Sequence, residues 1–171
     1  MNYYQARIAI DTAQLLEEMK KIYEKKSGVT ITKGNVIMKA YEDSLWVDDW
    51  KEIFREQIKL SKHYEIPPNS LKLRVQISEE VEQGIKNLKD LLPSVLSESR
   101  KLRNVTIGVC IRLILRAAYI KNVELGDVKS SEIESAINRY KEEAKSTFDE
   151  DNYKKVVTLL DKLSSEFLNK F

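Results

Sequence analysis

The sequence predicts a mainly α-helical protein with two short β-strands, and three observations predict it. Five glycines and three prolines among 171 residues, with 33% of the chain charged, leave room for few turns. Two stretches, Tyr4 to Ile10 and Leu71 to Ile77, alternate apolar with polar or small residues, as a strand with one buried face does. Every other patterned stretch repeats its apolar residues at the spacing of an amphipathic helix.

In chain order, Tyr4, Ala6, Ile8 and Ile10 alternate with Gln5, Arg7 and Ala9, and Asp11 and Thr12 then open a helix carrying Leu15, Leu16, Met19, Ile22 and Tyr23. Ser27-Gly28 breaks it. Thr32 caps the next helix, whose apolar face is Val36, Ile37, Ala40 and Tyr41. Residues 42–64 are acidic and place Trp46, Trp50, Ile53, Phe54 and Ile58 at helical spacings, which predicts one helix packing its tryptophans inward. Ile66-Pro67-Pro68-Asn69-Ser70 ends that helix, since neither proline donates a backbone hydrogen bond and each biases its predecessor to extended geometry.

The second strand is Leu71 to Ser78, LKLRVQIS, with Leu71, Leu73, Val75 and Ile77 on one face and Lys72, Arg74 and Gln76 on the other. Ser78 caps a helix with Glu79 and Glu80 in its first turn and Val81, Ile85, Leu88 and Leu92 on its apolar face. Thr106 caps the run Ile107 to Ile120, in which Arg112 and Arg116 share one stripe. Strand, helix, helix thus occurs twice. Setting Asp11 against Ser78 places Arg7 with Arg74, Gln5 with Lys72 and Ala9 with Gln76. After a turn at Asn122 to Asp127, two further helical patterns follow, the first capped by Ser130 or Ser131 and carrying Ile133, Ile137, Tyr140, Ala144 and Phe148. The second carries Val156, Leu159, Leu160, Leu163 and Phe167, beyond the polar turn Asp149 to Asn152.

At residues 3–41 and 71–120 the chain resembles the ribbon-helix-helix DNA-binding proteins of the MetJ and Arc kind. Both second helices open as that family's do, with a small hydroxyl residue after an apolar one: Ile31-Thr32-Lys33-Gly34 and Val105-Thr106-Ile107-Gly108. The chain departs from the family pattern in two places. PSVLSESRKLR adds about eleven residues between the helices of the second copy, so its first helix is longer or is broken at Pro93. The apolar stripe of the first copy also sits one residue later than that of the second.

The resemblance implies that the two strands pair as an antiparallel ribbon, making residues 1–41 and 71–121 two ribbon-helix-helix units of an intramolecular pseudo-dimer. Residues 42–70 connect them and residues 122–171 form a C-terminal helical hairpin. It also implies double-stranded DNA as the partner, with the outward ribbon residues Gln5, Arg7, Ala9, Lys72, Arg74 and Gln76 reading base edges in the major groove. The amides opening the second helices, at Thr32, Lys33, Gly34, Thr106, Ile107 and Gly108, are then the phosphate contacts. A transcriptional repressor of a plasmid or mobile-element operon is the leading expectation. A relaxosome, conjugation accessory or partition protein is the second, and an antitoxin-like binder of a protein partner the third.

Charge follows the same division. Residues 1–41 and 67–121 carry net +3 and +5, and residues 42–66 and 122–171 carry −3 each, so the basic charge lies on the two repeats. No charged leader with a long apolar core opens the sequence, which predicts a cytoplasmic protein, and no apolar run reaches the ~20 residues of a membrane span. Catalysis is not expected: there is one histidine, His63, one cysteine, Cys110, and neither a glycine-rich phosphate loop nor Cys/His metal spacing. No cofactor or metal is expected. The C-terminal helices carry the expectation of self-association or a protein partner, because their apolar stripes need a surface.

Overall fold

The computed structural model describes residues 3–97 and 104–168, with the backbone alone at 126–129 and 167–168. The protein is mainly helical with one two-stranded antiparallel sheet. It divides into two compact units, Met1–Tyr119 and Ile120–Phe171.

In the first unit, strand β1 (Tyr3–Arg7) leads into α1 (Ile10–Ser27) and α2 (Lys33–Asp43), and β2 (Lys72–Gln76) leads into α4 (Glu79–Val95) and α5 (Ile107–Tyr119). The short helix α3 (Trp50–Arg55) lies between the two sets. The strands pair with Tyr3 opposite Gln76, Gln5 opposite Arg74 and Arg7 opposite Lys72. Beneath them Tyr4, Leu73, Val75 and Ile77 are buried, as the alternation requires. Helix α5 is apolar on nearly every side, and Cys110, Ile111, Leu113, Ile114, Leu115, Ala117 and Ala118 are all buried. A helix of that composition is stable only when surrounded. Here it packs against α1, α2, α3, α4 and β1, with Leu16, Met19, Ile37, Ile85 and Leu92 filling the core around it.

Several boundaries differ from the sequence-based expectation. Helix α1 starts at Ile10 with Ala9 in the cap position and no side-chain cap, while the Asp11 carboxylate accepts from the Thr12 amide (2.7 Å) inside the first turn. The strand therefore ends at Arg7, and Ala9 stands beyond the ribbon. The single helix expected over 42–64 is instead the six-residue α3. Ser44 closes α2 by donating to the Tyr41 carbonyl (2.7 Å), and Asp49 caps α3 by accepting from the Lys51 amide (2.8 Å). Beyond Arg55 the chain runs without regular structure, because tertiary contacts hold it against α1. Gln14 donates to the Tyr64 carbonyl (3.2 Å), the Tyr64 hydroxyl donates to Glu18, and the Lys21 ammonium lies 4.6 Å from the Tyr64 ring centre. Of the predicted anchors only Ile53 is fully buried, and Trp46 keeps one polar contact, its indole N–H donating to the Ala117 carbonyl (3.3 Å).

The proline linker forms a 3₁₀ turn, Pro68–Leu71, before β2. Helix α4 runs through Pro93 to Val95; the ring removes one N–H, and the Leu96 amide still reaches the Leu92 carbonyl (2.8 Å). The later part of the PSVLSESRKLR segment, residues 98–103, lies outside the described residues.

The second unit opens with a π-helical turn, Ile120–Glu124, followed by α6 (Leu125–Thr147) and α7 (Glu150–Leu168). The turn expected at Asn122 to Asp127 is absent, and Ser130 and Ser131 lie inside α6. One asparagine and one glycine cost a helix ~1 kcal/mol each at most, too little to break it without a proline. Asp149 caps α7 by accepting from the Asn152 amide (2.9 Å), and these hydrogen bonds hold its carboxyl below the usual carboxylate range. Lys141 and Asp161 join the two helices (2.6 Å) around the buried Ile137 and Ala144. Tyr140, Phe148, Leu159 and Leu163 remain exposed, and the side chain of Phe167 lies outside the described residues. No helix among the described residues is long and apolar enough to cross a membrane.

Candidate nucleic-acid interface

Alternation along the two strands places Tyr3, Gln5 and Arg7 on one side of β1, and Lys72, Arg74 and Gln76 on the same side of β2, all exposed. Three of these six side chains are cations and none is an acid. The Arg74 guanidinium lies 4.2 Å from the centre of the Tyr3 ring, a cation–π pair that gives its flat fork a fixed support. Tyr3 was absent from the residues expected from sequence. The period-2 pattern read one step back from Gln5 identifies it.

Counting back from the helix caps changes the internal alignment. Ala9 and Ser78 hold the cap positions of α1 and α4. Arg7 therefore corresponds to Gln76, Gln5 to Arg74 and Tyr3 to Lys72, which displaces the sequence pairing of Arg7 with Arg74 by two residues. The cross-strand register agrees with this count, since Gln5 and Arg74 are both equivalent and directly opposed. The sequence alignment failed because it took Asp11, the first good capping residue, for the cap. Of the six expected base readers, five sit together on the paired ribbon and Ala9 does not.

The helix starts flank the ends of the ribbon. Thr32 accepts from the Asn35 amide (3.2 Å) at the start of α2, and Thr106 accepts from the Val109 amide (3.4 Å) at the start of α5. A Cβ on Gly34 would collide with the carbonyl oxygen of Gln76 at the end of β2, and one on Gly108 with that of Arg7 at the end of β1. Each glycine is thus where the second helix of one set passes under the last residue of the other set's strand. This close approach accounts for both glycines without a ligand.

The two helix starts differ electrostatically. At α2, Lys33 is paired with Glu17 (2.8 Å). At α5 a groove of about 600 Å³ is lined by Arg7, Ala9, Lys89, Thr106, Ile107 and Gly108 among others, with no carboxylate among the described residues. Lys89 comes from α4 and was not anticipated. Helical spacing marks it only as a solvent-facing residue next to Leu88. The α5 amides and the lysine make this groove the more electropositive end.

Comparison with protein-family models, with curated proteins and with solved structures finds no match for this chain.

Proposed function

We propose that the chain is a ribbon-helix-helix protein that binds double-stranded DNA sequence-specifically, its two strand-helix-helix sets forming an intramolecular pseudo-dimer whose ribbon enters the major groove. The observation that carries this reading is the acid-free outward face of the ribbon, where Arg7, Lys72 and Arg74 stand beside Gln5, Gln76 and Tyr3 on two paired strands. A two-stranded ribbon fits the width of that groove, arginine matches guanine N7 and O6, and glutamine matches adenine. The α5 start with Lys89 supplies a phosphate contact, and the paired Lys33 makes the α2 start the weaker one. Repression of a plasmid or mobile-element operon is the role that the family resemblance favours.

Selection from a random duplex pool tests this, with the wild type and Arg7→Ala/Arg74→Ala in parallel. The wild type should enrich one motif, and the double variant should lose it while keeping salt-sensitive non-specific binding. Enrichment of nothing, or of the same motif by both, overturns the reading.

A further inference from the structure

Away from the ribbon, a cavity of about 330 Å³ opens between the start of α1, the segment after α3, and α5. That size is at the lower end of small-molecule sites. Arg112 and Arg116, one helical turn apart on α5, line it together with Lys62, His63, Gln14 and Asp11. Arg116 donates to the Phe54 carbonyl (3.2 Å), which fixes one side of its guanidinium. Burial, and then the neighbouring Arg112, pull its affinity for its proton below the ordinary arginine value. Among the described residues, Arg112 reaches only the Asp11 carboxylate, at 3.9 Å, and its buried Nε–H has no hydrogen-bond partner. A buried unpaired guanidinium donor is costly, and a charged acceptor relieves it.

The polar side chains beside the arginines are held in place by one another. The Gln14 amide nitrogen donates to the Tyr64 carbonyl (3.2 Å) and lies 3.1 Å from His63 Nδ1, which holds His63 against the cavity wall. Two acids oppose this positive set. Asp11 stands at the rim, mostly exposed, and Glu56 acts on Arg116 without lining the cavity. Among the described lining residues, three permanent cations against one carboxylate leave the cavity positive.

We infer that this cavity binds a small polar molecule through an oxyanion, phosphate or carboxylate, held between Arg112 and Arg116. Because it joins α1 of the first strand-helix-helix set to α5 of the second, a bound anion ties the two sets together. The assignment is independent of DNA binding.

Thermal unfolding and calorimetric titration of the full chain with inorganic phosphate and with citrate, against chloride at matched ionic strength, test it. A saturable, one-to-one rise in Tm with phosphate, citrate or both, and none with chloride, supports the site, and the anion that acts names the ligand chemistry. Arg112→Gln should weaken that binding about tenfold, as expected for one lost charge-assisted contact. Lys62→Glu places an acid at an exposed rim position and should weaken it similarly with an unchanged circular dichroism spectrum, so the test survives if Arg112→Gln fails to fold. Arg7→Ala/Arg74→Ala should bind the anion as the wild type does, which separates this site from the ribbon. No saturable response to either anion, or an equal response in wild type and Lys62→Glu, overturns the inference.

Discussion

Gln5 and Arg74 stand directly opposite one another across the ribbon, and each lies four residues before the cap of the helix that follows its strand. They are equivalent by position and different by chemistry. The same holds for the flanking positions, where Arg7 corresponds to Gln76 and Tyr3 to Lys72.

On the DNA-binding reading, this makes the preferred site asymmetric at its centre, with the guanines read by Arg7 and Arg74 unrelated by the dyad. Gln5→Arg should make the centre alone symmetric, giving a selected motif with guanine at both central positions. The change in discrimination at that position should be ~1 to 3 kcal/mol. A wild-type motif that is already a perfect palindrome would contradict the register.

On the same DNA-binding reading, Lys89 and Lys33 should behave differently. Lys89→Ala removes a charge beside the α5 start, in a groove with no acid among its described lining residues, and should reduce the slope of log K against log salt by about 1. Lys33→Ala removes a charge already met by Glu17 and should change it less. Binding titrations on one duplex across a salt series measure both.

Gly34→Ala and Gly108→Ala should each destabilise the protein by ~3 kcal/mol in urea titrations, as overpacking against backbone does. Helix propensity favours alanine by at most ~1 kcal/mol, so the collision wins. Gly28→Ala is the contrast. A Cβ there meets nothing within 4 Å, but φ is +72°, and the left-handed conformation alone costs about 1 kcal/mol.

The Tyr4 hydroxyl is buried and has no hydrogen-bond partner among the described residues. Tyr4→Phe should therefore be neutral or stabilising by up to ~1 kcal/mol, against the usual loss for an altered core residue.

Alkaline stability follows from burial. Burial pushes the Tyr4 phenol up to about 12 and the Cys110 thiol up to about 11, from ordinary values of 10 and 9. The unfolded chain releases these protons first, so their effect is to lower stability as pH rises from about 9 to about 12, with no contribution below. Denaturant midpoints across that range should fall. Cys110 should also resist alkylation at pH 8 until the protein is unfolded.

The sequence by itself determined the two short strands, the outward face of Gln5, Arg7, Lys72, Arg74 and Gln76, the buried Tyr4, Ile8, Leu73, Val75 and Ile77, and the caps Thr32, Ser78 and Thr106, because alternation and capping are local chemistry; Ile10, expected on the buried face, instead opens α1 and is exposed. Its acidic 42–64 segment also had helical periodicity, yet only α3 formed there. Tyr64 and Gln14 supply tertiary partners that a lone helix would not have. Tertiary structure alone decided that α1 starts at Ile10, that Gln5 faces Arg74, and that Gly34 and Gly108 are needed under opposite strand ends. It also gathered Arg112, Arg116 and His63 around one cavity. These relationships join residues far apart in the chain, and the pairing of distant backbone and side chains is set by packing.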